Sequence, residues 1–188
     1  MVGLIYKTLF GLVESVAGCD AVAEVRRRAD ICADRVFRLN AAYDDAEWQR
    51  LFAAACDVLS IPQSRAEAAF ADFFCQDALQ RWPTWFAMSL SAREFLERQP
   101  NIHNSFTTGV RDAAARRAIG DKFRLEKRER ELVMHYRSPN QLCGLYTALA
   151  RWIINHYNEE ATVEELRCLK RGDPECEVHI HWPQPGVP

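Results

Sequence analysis

The chain has 188 residues, 48% of them apolar and 27% charged, and a formal net charge of −2 at pH 7. That length suits one domain with a core that needs no staples, and the composition is that of an ordinary soluble globular protein. The basic runs, Arg26–Arg28 and Lys127–Arg130, are interleaved with acids. The basic excess that phosphate tracking needs is missing, which excludes nucleic acid as a partner.

The opening segment is apolar but carries Lys7 and Glu14 and lacks a basic leader. It reads as a helix of the mature fold, with Ile5, Leu9, Leu12 and Val16 at helical spacing, and as neither a signal peptide nor a membrane span. Asp44-Asp45-Ala46-Glu47 has the pattern of a capping box, and the helix it opens aligns Trp48, Leu51, Phe52, Ala55 and Leu59. Ser64-Arg65-Ala66-Glu67 repeats the start signal ahead of Phe70, Phe73, Phe74 and Ala78. Trp82-Pro83 breaks the pattern, because proline biases its predecessor away from the helical region. A further helix through Trp85, Met88, Phe95 and Leu96 is expected to end near Pro100, where a segment bearing Ile102, His103 and Phe106 begins.

After about residue 120 the pattern changes. Residues 122–126 and 130–136 alternate apolar and polar side chains, as half-buried strands do. Ser138-Pro139-Asn140-Gln141 reads as a helix start with Ser138 as N-cap, and Leu142, Leu145, Leu149, Trp152 and Ile153 follow along one stripe that fades near Asn158. Two more strands, about 163–170 and 175–182, flank the turn signal Gly172-Asp173-Pro174. The expected fold is α+β: a helical part over about 1–118 and a sheet part with a long helix over about 119–182, forming one domain of residues 1–182 with a loose tail at 183–188.

No P-loop and no nucleophile–base constellation is present, so no enzymatic activity is expected. Seven cysteines, an odd number, with no export signal read as reduced thiols in a cytoplasmic protein. Cys168, Cys176, His179 and His181 include plausible zinc ligands, but strand alternation points Cys176 and His179 to opposite faces. Cys143, Cys168 and Cys176 remain free to meet in space, with buried thiols as the default. His103 on its own is as compatible with a packed or solvent-facing imidazole as with a metal ligand. It has no histidine or carboxylate at i±3 or i±4, so a one-helix zinc site is out; a haem, which needs a single axial imidazole, is not.

Trp82-Pro83-x-x-Phe86, then Phe95-Leu96, then Ile102-His103 resembles, in order and spacing, the proximal region of the H-NOX family of haem-based gas sensors. The start Met1-Val2-Gly3-Leu4-Ile5, the block Asp34-Arg35-Val36 with Asp44-Asp45, and Met134–Ser138 are similar to other parts of that family, so the resemblance runs over nearly the whole chain. It implies a helical subdomain and a four-stranded antiparallel sheet with haem b between them, His103 as the axial ligand of the iron, and Tyr136 and Ser138 as propionate partners. The family motif Y-x-S-x-R has arginine where this chain has Asn140, which offers donors but no charge. Arg137 is one residue from Tyr136 and is expected on the opposite face.

Ile5, Leu9, Phe74 and Leu145 are expected to line the pocket. The last two fall where relatives place distal side chains, and neither carries a hydrogen-bond donor. Tyr146 is turned about 100 degrees from Leu145 on a helix. Bound oxygen would lack a donor, so the resemblance implies selectivity for nitric oxide, with carbon monoxide also binding. It also implies an effector in trans, such as a histidine kinase or a cyclic-dinucleotide enzyme, driven by release of His103. The alternative is a haem-poor H-NOX-like interaction protein, or a thiol or zinc redox sensor.

Overall fold

The computed structural model describes residues 1–183; all but the first residue of the expected tail lies outside them. The helical part comprises α1 (Gly3–Arg28), α2 (Asp45–Leu59), α3 (Gln63–Arg81), α4 (Pro83–Ala87), α5 (Ala92–Ser105) and α6 (Ala113–Gly120). The second part comprises β1 (Phe123–Lys127), β2 (Glu131–Tyr136), α7 (Cys143–His156), β3 (Thr162–Arg167), a 3₁₀ turn (Leu169–Arg171) and β4 (Cys176–His181). The strands form one antiparallel sheet in the order β1-β2-β4-β3. The fold is thus α+β with a four-stranded sheet, as the sequence indicates.

Alternation decides which face of the sheet is buried. Leu132 and Met134 on β2 and Val178 and Ile180 on β4 are fully buried and pack with Ala150, Ile153 and Ile154 of α7. The opposite face carries Glu131, His135, Glu177 and His179, whose histidines are held by carboxylates: His135 Nδ1 by Glu175 at 2.8 Å and His179 Nδ1 by Glu131 at 2.6 Å. The helical part has its own core, with Tyr6, Leu9, Val13, Trp48, Leu51 and Phe70 at its centre. One helix serves both cores: Cys143 and Leu145 of α7 join the helical cluster, while Tyr146, Ala150 and Ile153 join the sheet cluster.

Four local expectations are corrected. Val16 is 65% exposed, because α1 is two helical stretches meeting at Gly18 (φ 79°), and the face set by Ile5, Leu9 and Leu12 does not continue to it. α3 starts at Gln63 after Pro62, with no side-chain cap; Ser64 lies inside it, and Glu67 is engaged by Lys170 at 2.7 Å. Pro100 does not end a helix but lies inside α5, so His103 shares a helix with Phe95 and Leu96. Phe95 and Leu96 on one side of Pro100 and Ile102 on the other pack in the sheet-side core, and that burial offsets a proline cost of about 3 kcal/mol. Ser91, which accepts from Glu94 N at 3.1 Å, is the cap that starts α5. Finally, Ser138 is not the N-cap of α7. Gln141 takes a left-handed φ of 49° and the helix begins at Cys143, leaving residues 138–142 as a turn in which Asn140 N donates to Ser138 Oγ at 3.3 Å. By contrast, the Asp44 side chain does cap α2, accepting from Ala46 N at 3.0 Å.

Candidate functional site

Between the two cores lies a cavity with about 1210 Å³ of atom-free space, counting the part open to solvent. Its wall is drawn from every layer: Ile5 of α1, Phe74 of α3, Phe86 of α4, His103 of α5, Phe123 of β1, Tyr136 of β2 and Leu145 of α7. The polar groups that reach it are few. The polar side chains in its lining are those of Cys75, Gln99, His103, Lys122, Tyr136 and Tyr146.

His103 sits in the last turn of α5, its ring edge-on to Phe123 with centroids 4.8 Å apart. Burial pushes its pKa down to about 4. The imidazole is therefore neutral at physiological pH, the state in which a ring nitrogen binds a metal. Nδ1 lies 3.4 Å from Asn104 Oδ1, and Gln99 Oε1, on the preceding turn, is buried without a partner. No other histidine and no carboxylate lines the cavity among the described residues.

Tyr136 ends β2 with its hydroxyl accepting from Leu142 N at 3.4 Å. Ser138 and Asn140 lie just outside the cavity in the turn that follows; both are buried, and Asn140 Nδ2 meets no acceptor. Arg137 is exposed, as strand alternation predicts. Ile5, Phe74 and Leu145 line the cavity, but Leu9 does not: it is buried one turn further along α1 in the helical core. Tyr146 also lines the cavity, yet it packs with the α4–α5 side of the molecule rather than with Leu145. Burial pushes its phenol pKa up, and its hydroxyl has no hydrogen-bond partner.

Sequence patterning missed Lys122. Strand alternation assigned it to the solvent face with Arg124 and Glu126, but it precedes β1, is buried and lines the cavity. Its Nζ lies 3.2 Å from Asp45 Oδ2. Burial acts against ionisation of Asp45, but the Met1 amine and Lys122 prevail and hold its carboxyl below the usual range.

A second cluster lies where α7 meets the sheet. Cys143, Glu165, Cys168 and Cys176 bring one ligand atom each to within 4.8 Å of one another. Cys143 Sγ is 3.4 Å from Cys168 Sγ, and Glu165 Oε1 is buried with no partner. Burial pushes the Cys143 thiol well up and raises that of Cys176. The three cysteines thus meet, and the fourth group is Glu165, which spacing did not suggest. Cys176 is buried on the inner face and His179 is held on the outer one, so the expected opposition of those two stands.

A family model described as haem-NO-binding matches residues 2–165. The chain belongs to that family. Among solved structures, an H-NOX protein from S. oneidensis in the Fe(II)NO state is 16% identical, with a TM-score of 0.79 over 98% of this chain and 100% of that one. An oxygen-binding H-NOX domain related to soluble guanylate cyclases is 21% identical, with a TM-score of 0.75 over 100% and 98%. An A71G H-NOX mutant from K. algicida is 18% identical, with a TM-score of 0.77 over 98% of each. These likenesses give the H-NOX fold. No curated protein matches the sequence. H-NOX domains are haem-binding gas sensors, and no helix among the described residues is long and apolar enough to cross a membrane.

Proposed function

We propose that the chain is a nitric-oxide sensor in which His103 is the sole protein ligand of a b-type haem held in the cavity. One observation carries this reading: a neutral, half-buried imidazole stands in the wall of a largely apolar cavity, with no competing imidazole or carboxylate among its described lining. A porphyrin occupies four positions on its iron and asks the protein for one. Polar atoms unused by the protein itself support the fit, since the acceptor Gln99 Oε1 and the hydroxyl of Tyr146 are buried without partners in the cavity lining.

The haem supplies the gas-binding position; the chain supplies its surroundings. Ile5, Phe74 and Leu145 offer no hydrogen-bond donor, so oxygen gains nothing from those three side chains, while nitric oxide and carbon monoxide bind ferrous haem without one. His103 would tether α5 to the haem, and its release on nitric-oxide binding would free α5 to shift against β1, α6 and α7, the elements it packs on. An effector in trans then reads the change, by family analogy a histidine kinase or a cyclic-dinucleotide enzyme. It must bind the two states with different affinity.

Absorption spectroscopy of the reconstituted protein tests this. The expected result is a Soret band that moves on adding nitric oxide, is lost in His103→Ala, returns with free imidazole, and forms no stable oxygen complex in air. A stable oxygenated spectrum in air removes the selectivity; a Soret band unchanged in His103→Ala removes the ligand.

The thiol cluster supports a second reading, in which Cys143, Glu165, Cys168 and Cys176 hold zinc. Three sulfurs and a carboxylate oxygen make a four-ligand set of the kind structural zinc takes. Binding would deprotonate the raised thiols, so proton release should accompany it. Metal analysis of purified protein is expected to give one zinc per chain, lost in Cys176→Ser; no zinc in protein made with zinc supplied would end this reading.

A further inference from the structure

The cavity is charged at one end only. Its described lining includes no aspartate, glutamate or arginine, and Lys122 is the cationic side chain in it. Lys122 is 7% exposed, and its Nζ lies 3.3 and 3.2 Å from the two oxygens of Asp45. Asp45 also takes the Met1 amine at 2.8 Å, so two cations share one carboxylate. Met1, Ile119 and Lys122 belong as well to an adjoining surface groove formed with Asp45, Gln49 and Pro139. Lys122 therefore stands where the cavity meets the surface. The backbone fixes it beside the turn after β2, since Arg137 N donates to Lys122 O at 3.0 Å.

An apolar cavity with a cation at its mouth and no acid in its wall takes an apolar body that carries a carboxylate. Such a group needs a fixed charge or several donors once it leaves water. Asn140 supplies donors without charge. We propose that Lys122 supplies the charge that binds a haem carboxylate in this chain, in the role that an arginine fork at position 140 would otherwise fill. The proposal rests on the haem reading above. Lysine suits the task because its ammonium is a point charge on a four-carbon stem, able to swing from Asp45 toward an incoming carboxylate without moving the backbone. Asp45 is then the counter-ion that keeps Lys122 satisfied while no carboxylate competes for it.

The test measures haem loss from the reconstituted full chain to excess apomyoglobin, using haem and, in parallel, haem dimethyl ester, whose carboxylates are blocked. Lys122→Met is expected to lose haem roughly tenfold to a hundredfold faster than wild type, to lose the ester at the wild-type rate, and to be rescued by adding Asn140→Arg. Lys122→Arg should stay near wild type, and Asp45→Asn should not accelerate loss. An unchanged rate in Lys122→Met, or equal acceleration for haem and ester without rescue by Asn140→Arg, overturns the assignment. A wild-type chain that binds no haem overturns the haem reading and this proposal together, whereas haem-loaded wild type beside an unaffected Lys122→Met overturns this proposal alone.

Discussion

At the residue scale, the imidazole of His103 shows how burial prepares a side chain for ligation. Its folded pKa of about 4 lies below the usual 6.5. Above pH 6.5 the folded and unfolded chains are both neutral there. As the pH falls from 6.5 toward 4, the unfolded chain takes up a proton that the folded one refuses, and the stability of the apo-protein declines. The same shift protects a metal bond, because protons compete for the ring nitrogen only near the lower value. The ferrous Soret band is therefore expected to hold steady from pH 8 to about 5.5. A loss of five-coordinate signal with a midpoint near 6.5 would show that the imidazole is not shielded as described. Lys122 is the opposite case, a residue whose place in an alternating run pointed outward. Because it lies before the first β1–β2 pair, Phe123 with Tyr136, the alternation of β1 does not bind it.

At the element scale, α7 determines how the two parts of the molecule meet. It crosses the sheet with Ala150, Ile153 and Ile154 and packs closely on α3, where Gly144 faces Glu67. A Cβ at 144 would collide with Glu67 Oε2, which belongs to the carboxylate that Lys170 engages at 2.7 Å. Glu67 is almost fully buried, so it has little room to yield. Gly144→Ala is expected to cost about 1–3 kcal/mol in urea unfolding despite the better helix propensity of alanine. A neutral or stabilising result would mean that α3 and α7 part more easily than this packing allows. The start of α7 illustrates how local signals compete. Ser138-Pro139 has the look of a helix N-terminus, but Tyr136 OH accepts from Leu142 N, and the left-handed Gln141 postpones the helix to residue 143.

At the scale of the whole molecule, the cavity separates two cores that meet mainly along α7. A fold with this much unfilled apolar wall forgoes contacts that a ligand can restore, and a ligand that binds only the folded state stabilises it by mass action. At haem concentrations about 1,000-fold above Kd, the gain is about 4 kcal/mol, which for a chain of this size raises Tm by roughly 8–16 °C. Scanning calorimetry of apo- and haem-loaded protein checks this. An unchanged Tm, with haem bound, would mean that haem binds the unfolded chain as well as the folded one, which a preformed cavity between the cores does not allow.

The α+β class and the buried and exposed faces of the inner strands were legible in the sequence, but the helix that carries His103 was not. Periodicity, capping residues and strand alternation are local properties. Tertiary structure alone decided the rest. Pro100 is carried inside α5 because Phe95, Leu96 and Ile102 bury themselves on either side of it. Lys122 comes to Asp45 across 77 positions, and Glu165 of β3 joins Cys143 of α7, Cys176 of β4 and Cys168 from the turn between the two strands. No spacing rule encodes such meetings, because they depend on which faces of distant elements are pressed together when the apolar stripes of α5 and α7 and the inner face of the sheet leave water.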